Sequence, residues 1–169
     1  GTTCLNLHQT HAIIQLIRYI ADIYDDKTVI VTETNLPNHE NLSYFGNGNE
    51  AHWIYNFSLP PLILYSLLFA DSSILRRWSM SMPPALIGTS YLNFLSSHDG
   101  FGMRPTEGLL DATQRQRLLD RLEANGSLFS RRAKADGTKS VYEANTTLFS
   151  ALEKSDGDPT GALSSARFI

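Results

Sequence analysis

Residues 91–105 read YLNFLSSHDGFGMRP, an apolar run that rises to a His-Asp pair and then breaks into a Gly-x-Gly loop. A short apolar and aromatic run bounded by Ser, Gly and Pro reads as a buried strand. This one ends on two ionisable residues, His98 and Asp99. Two other stretches have a related form. Residues 28–35, TVIVTETN, gather β-branched residues into a strand that ends on Glu33, Thr34 and Asn35, and Pro37 stops the ladder. Residues 52–58, HWIYNFS, give a third strand.

Helical patterns lie between them. Thr10 is the expected N-cap of a helix in which Ile13, Leu16, Ile17, Ile20 and Ile23 recur at helical spacing, closed by Asp25-Asp26-Lys27. The Asn- and Gly-rich stretch 37–50 reads as a long loop with one helical turn. Pro60 and Pro61 suit the first turn of a helix, which LILYSLLFADSSILRRW continues to Trp78 and Met82-Pro83-Pro84 closes. Asp111 and Gln114 form a capping box. Leu118, Leu119 and Leu122 make the stripe of the helix that follows, and Gly126 caps its end. Residues 127–158 read as an irregular excursion with a hairpin turn at Asp136-Gly137.

Strands alternating with helices imply an α/β fold around a parallel sheet of β-α units. In such folds chemistry collects at the C-terminal ends of the strands. Glu33 and Asp99 both fall there.

Composition narrows the rest. The chain has 169 residues, with 42% hydrophobic and 18% charged, the balance of one globular domain. Its net charge of -3 argues against a dedicated nucleic-acid binder. The Arg76-Arg77 and Arg131-Arg132 pairs and Lys134 read as solvated surface. One cysteine, Cys4, leaves no internal disulfide and fits a reducing compartment. The longest apolar run, 59–70, is too short for a bilayer, and no signal peptide opens the chain, so a cytoplasmic protein is expected. The segment begins in mid-pattern at GTTCLNL and stops as an apolar segment starts in SSARFI, so both ends read as cut from something longer.

Two carboxylates serve acid-base chemistry when one donates a proton and the other stays ionised to face developing positive charge. Glycosyl transfer needs that division, because its transition state is oxocarbenium-like and the leaving oxygen must be protonated. His98 could hold a sugar hydroxyl. A strand-end carboxylate also serves as a cap or an ion-pair partner, and spacing alone leaves both readings open. His8-x-x-His11 lacks a third ligand, so no metal site is expected. No phosphate-cradling P-loop and no G-x-S-x-G elbow occur.

The segments TETNLPNHENLSYFGNGNEAHWIYNFSLPP and FLSSHDGFGMRPTEGLL resemble the sucrose phosphorylase branch of the α-amylase superfamily, on its glucosylglycerate phosphorylase-like side. GTTCLNLHQTH and SRRAKADGTKSVYEANTTLFSAL resemble it too, so the likeness covers nearly the whole chain. It implies one fragment, residues 1–169, of a (β/α)8 TIM barrel of α-amylase type, holding about strands five to seven with their helices.

By the same resemblance Glu33 matches the general acid/base and Asp99 the transition-state stabiliser. His98, Asn35 and Arg104 match the substrate-binding side, and His98 holds glucosyl hydroxyls. Sucrose phosphorylases proper often carry His where this chain has Asn35, a departure that favours the glucosylglycerate-like side. The family's nucleophile precedes the Gly-Thr-x-Cys segment, so it falls before Gly1, and the chain alone is expected to be inactive. The implied parent reaction is retaining phosphorolysis of an α-glucoside to α-glucose 1-phosphate. Its partners are a small carbohydrate and inorganic phosphate as co-substrate, with no cofactor, metal, nucleic acid or membrane. An amylase-like hydrolase is the near alternative. A non-catalytic truncated protein is the other, one that binds sugar or associates with a second copy or another chain through exposed barrel edges.

Overall fold

A computed structural model of the chain describes residues 4–25, 27–133 and 137–153. The turn positions Asp26 and Asp136, Lys134 and the apolar segment 164–169 lie outside the described residues.

Three short parallel strands make the first sheet. β1 (Val31–Thr32), β2 (Trp53–Tyr55) and β3 (Ser90–Leu92) lie side by side in chain order, with Val31 opposite Trp53, and Ile54 opposite Tyr91. Each strand is shorter than its apolar run. At residues 33–37 and 93–97 the chain has left the ladder of the parallel sheet.

The helix α1 (His8–Tyr24) precedes β1. Its N-cap is Leu7 rather than Thr10, whose hydroxyl lies inside the first turn and donates to the Cys4 carbonyl. The residues that recur at helical spacing, Ile13, Leu16, Ile17, Ile20 and Ile23, are 45–62% exposed. The face turned inward is mixed: Ile14 packs against the smaller core around Tyr44, and polar side chains flank it. His11 meets Glu50 at 2.6 Å, the Gln15 amide donates to Glu50 at 3.0 Å, and Arg18 donates to the Glu50 carbonyl oxygen.

The expected helical turn between β1 and β2 is α2 (Asn38–Ser43). After β2 the single helix expected from Pro60 to Trp78 is two, α3 (Leu59–Phe69) and α4 (Ser73–Ser81). Ala70 takes a left-handed conformation, φ 52°, and ends α3. The Asp71 carboxylate then accepts from the Ser73 amide at 2.9 Å, satisfying an open N–H at the start of α4. Hydrogen bonding from the Ser73 side chain, and after it from the Ser73 amide, holds the Asp71 carboxyl below its usual range.

After β3 come β4 (Phe101–Gly102) and a 3-10 turn at Arg104–Thr106, and then α5 (Ala112–Ala124). The capping box at its start is complete: the Gln114 amide donates to Asp111 at 2.8 Å, and the Asp111 amide donates to the Gln114 side chain at 3.0 Å. At its end Gly126, φ 80°, closes a Schellman motif in which the Ser127 amide reaches the Leu122 carbonyl.

The described residues of the stretch 127–158 are more regular than an irregular excursion and include the hairpin expected around Asp136-Gly137. β5 (Leu128–Ala133) and β6 (Lys139–Asn145) form an antiparallel hairpin, β6 also pairs β4, and α6 (Leu148–Leu152) follows. The main core lies among α3 to α6 and this second sheet, around Leu62, Leu64, Phe101, Met103, Leu118 and Leu122. A smaller core of Leu36, Tyr44, Phe45, Ala51 and Ile54 sits behind the parallel strands.

Candidate active site

At the C-terminal edge of the parallel strands the two sheets meet around a cavity of about 150 Å³. Its lining comes from Glu33 and Asn35 after β1, Phe57 after β2, Ser97, Asp99 and Gly100 after β3, Gly102 on β4, and Tyr142 and Glu143 on β6. The sequence-predicted carboxylates Glu33 and Asp99 therefore line the same cavity. Both are exposed to solvent there.

The loops that carry them are tied down. Past Glu33, the Thr34 hydroxyl donates to Asn41 of α2, and the Asn41 amide donates to the Tyr55 carbonyl at the end of β2 at 2.8 Å. Leu36 is buried in the smaller core. Past β3, Ser97 and Gly100 exchange backbone hydrogen bonds of 3.0 and 3.2 Å, so His98 and Asp99 form the tip of a tight turn. Asn145 of β6 fixes the turn by donating to the Asp99 carbonyl at 2.9 Å. Edge-to-face contacts of Phe94 with Tyr55 and Phe57, at 5.3 and 5.2 Å, floor the strand ends.

The other sequence-predicted residues are placed differently from one another. Asn35 is buried and lines the cavity. His98 is 83% exposed, with Nε2 3.4 Å from Asp99 Oδ2, and does not line it. Arg104, half-buried in the 3-10 turn, does not line it either. His8 is exposed, and the His11 ring is held by Glu50 and Asn6. Among the described residues no group of three His, Cys, Asp or Glu side chains is placed to hold a metal ion.

Phe57, Ser97, Tyr142 and Glu143 line the cavity but escaped the sequence reading, and the last two matter most because they come from a different sheet. The signal was present in the alternation of KSVYEAN, but the stretch sat inside a region read as irregular. Burial raises the Glu143 carboxyl above the usual carboxylate range. The charges of Asp99 and Glu33 push the same way, against the Asn35 hydrogen bond and the charge of Arg132.

No family model matches the chain. It is 42% identical over 144 residues to glucosylglycerate phosphorylase of Escherichia coli strain K12, a match covering 85% of this chain and 26% of that protein. The glucosylglycerate phosphorylase of Allomeiothermus silvanus is 36% identical and matches 100% of this chain and 30% of its own length. The crystal structure of sucrose 6F-phosphate phosphorylase from Thermoanaerobacter thermosaccharolyticum superposes with a TM-score of 0.73 at 22% identity, over 90% of this chain and 30% of that one. By sequence and by fold, this chain is sucrose phosphorylase-like.

The fold is accordingly a partial (β/α)8 barrel of the α-amylase type, and β1, β2 and β3 are three of its strands. The chain spans between a quarter and a third of the length of those two phosphorylases. Among the described residues no helix is long and apolar enough to cross a membrane.

Proposed function

We propose that this sequence carries the acid/base and the stabilising carboxylate of a retaining glycoside phosphorylase that transfers an α-glucosyl group from a glucosylglycerate- or sucrose-like donor to phosphate. The observation that carries this reading is the meeting of Glu33 and Asp99 in one cavity at the strand ends. In it Glu33 protonates the departing oxygen, and Asp99 faces the positive charge that spreads over the flattened ring. His98 stands beside Asp99 at the turn tip, where it meets hydroxyls of the glucosyl ring, and Arg104 lies on the acceptor side.

The covalent glucosyl-enzyme needs a nucleophile, which the resemblance puts in the portion of the barrel ahead of this sequence. Phosphate is the co-substrate, attacking the glucosyl-enzyme to release α-glucose 1-phosphate, with no metal or organic cofactor in any step. The setting is carbohydrate metabolism in the cytoplasm. The exposed apolar stripe of α1, on Ile13, Leu16, Ile17, Ile20 and Ile23, supports association through the barrel edge.

The test is product analysis. The enzyme that contains this sequence, given glucosylglycerate and inorganic phosphate, is expected to form α-glucose 1-phosphate. Free glucose with no sugar phosphate would make it an amylase-like hydrolase instead. The 169-residue chain itself should show shifted amide resonances at His98 to Gly100 when glucose is added.

A further inference from the structure

Asp99 is held from the second sheet as well as from its own turn. β4 begins two residues after it, with Phe101 opposite Ala144 and Gly102 opposite Glu143 on β6. Asn145, next along β6, pairs only on its other side, with Leu128 of β5. Where the backbone ladder with β4 stops, the Asn145 side chain takes over: Nδ2 donates to the Asp99 carbonyl oxygen at 2.9 Å. Within the turn the Asp99 amide donates to Ser97 Oγ at 3.2 Å. Both polar groups of the Asp99 backbone are thus paired, one inside the turn and one across to β6.

The turn needs the second tie. Gly100, φ 91°, follows Asp99 directly. Glycine is open to either sign of φ, so the peptide plane between Asp99 and Gly100 has an alternative orientation that a residue with a side chain would lack. A hydrogen bond to the Asp99 carbonyl selects one of them. Asn145 itself is half-buried and does not line the cavity.

The Asn145 amide is oriented in its turn by a residue of the hairpin. A carbonyl oxygen only accepts, so Asp99 takes the NH2 end of the amide and leaves Oδ1 in need of a donor. Ser130 of β5 supplies it, its hydroxyl donating to Asn145 Oδ1 at 2.8 Å. Ser130 stands opposite Glu143 and diagonally from Asn145, a spacing at which cross-strand side chains meet. Beyond that pair the register jumps to Val141–Arg131, which leaves Tyr142 as the extra residue of a β-bulge. Ser130 and Asn145 lie on the regular side of the bulge, where the two strands stay in step.

We propose that Ser130 and Asn145 form a positioning relay, in which Ser130 orients the Asn145 amide and Asn145 fixes the backbone of Asp99 where its carboxylate faces the glucosyl ring. Neither residue lines the cavity. Ser130 is exposed on β5, the edge strand of the second sheet, and acts through two hydrogen bonds in series. A carboxylate that stabilises developing charge works in proportion to how well it is placed beforehand, so slack in the relay appears in the step where that charge develops.

This inference rests on the stabilising role proposed for Asp99, and the test separates the two. In the enzyme that contains this sequence, kcat/KM is measured with glucosylglycerate and with nitrophenyl α-glucoside. The proteins are wild type, Asn145→Asp and Ser130→Ala, each with and without Asp99→Asn. Asn145→Asp keeps the shape of the side chain and sets an oxygen against the Asp99 carbonyl. It should lower kcat/KM for both donors by about 10- to 100-fold, the scale of a misplaced catalytic group. Ser130→Ala, at an exposed position, should cost both donors roughly two- to tenfold, the effect of one neutral hydrogen bond, and Ser130→Thr should restore the rate. In the Asp99→Asn background either substitution should cost less than about twofold more, because the group they position is gone. Loss of folded enzyme would instead cost the same factor in both backgrounds. In the 169-residue chain the Gly100 amide resonance should shift in Asn145→Asp, and by less in Ser130→Ala. Losses that multiply with Asp99→Asn, wild-type rates in both relay variants, or a Gly100 resonance unmoved in both overturn the relay and leave the role of Asp99 standing. An Asp99→Asn enzyme as active as wild type removes the role of Asp99, and the relay with it.

Discussion

Gly100 lies against the backbone of Ala144 so closely that a side chain on it would run into the Ala144 carbonyl oxygen. The same added carbon would stand 2.9 Å from the Thr146 amide nitrogen, and Gly100 itself has φ 91°. Only glycine combines that conformation with that proximity. The contact lets the Asp99 turn and β6 share one wall of the cavity, so the separation of Asp99 from Glu143 depends on a missing methyl group.

Gly100→Ala is therefore expected to destabilise the chain on the order of 3 kcal/mol, from left-handed strain plus a backbone clash that no rotamer relieves. Urea unfolding monitored by circular dichroism measures it. Gly108→Ala is the reference: it has a similar φ of 79° but open space around it, and should lose only the strain. Equal losses in the two variants would mean that β6 does not press on Gly100.

The parallel sheet and the placement of Glu33 and Asp99 could be read from sequence because they rest on local signals. β-branched runs with polar ends mark the strands, and both carboxylates sit where those runs stop. Two features of the helices depend on tertiary structure that the sequence does not show. The stripe of Ile13, Leu16, Ile17, Ile20 and Ile23 has the period of a buried face, yet periodicity says nothing about which partner covers it. The continuous pattern from Leu59 to Trp78 hid a break, since Ala70 and Asp71 look helical until the Asp71 carboxylate is seen to cap Ser73. Glu143 was missed because a bulge has no sequence period: it exists only in the pairing of β5 with β6.

His52 gives a pH dependence of known sign. Its Nδ1 accepts from the Ile30 amide at 3.0 Å, which requires an unprotonated nitrogen. Burial lowers its pKa below 6.5, helped by the charge of Arg18 and opposed by that of Asp22. The unfolded chain thus binds a proton more readily than the folded one. Stability from this group is complete above pH 6.5 and declines as pH falls from there toward the lowered folded value. Urea midpoints measured at half-unit steps from pH 7.5 to 5 should show that decline, and His52→Gln should flatten it. A midpoint that rises on acidification through this window would contradict the assignment.

Glu33 is the residue on which the proposed chemistry can be tested most directly. A general acid matters in proportion to the basicity of the oxygen that departs. In the enzyme that contains this sequence, Glu33→Gln keeps the shape of the side chain and removes its proton. Transfer from glucosylglycerate, whose leaving alkoxide is strongly basic, should slow by roughly 10²–10⁴-fold. Transfer from an α-glucosyl donor with a good leaving group, such as a nitrophenolate, needs no proton and should change little in its glucosylation step. Asp99→Asn should behave otherwise, because charge on the ring develops whichever group departs, and both donors should suffer together. The comparison is of kcat/KM for each donor in each variant. Parallel losses for the two donors in Glu33→Gln would remove Glu33 from the acid role and leave it a structural carboxylate at the end of β1.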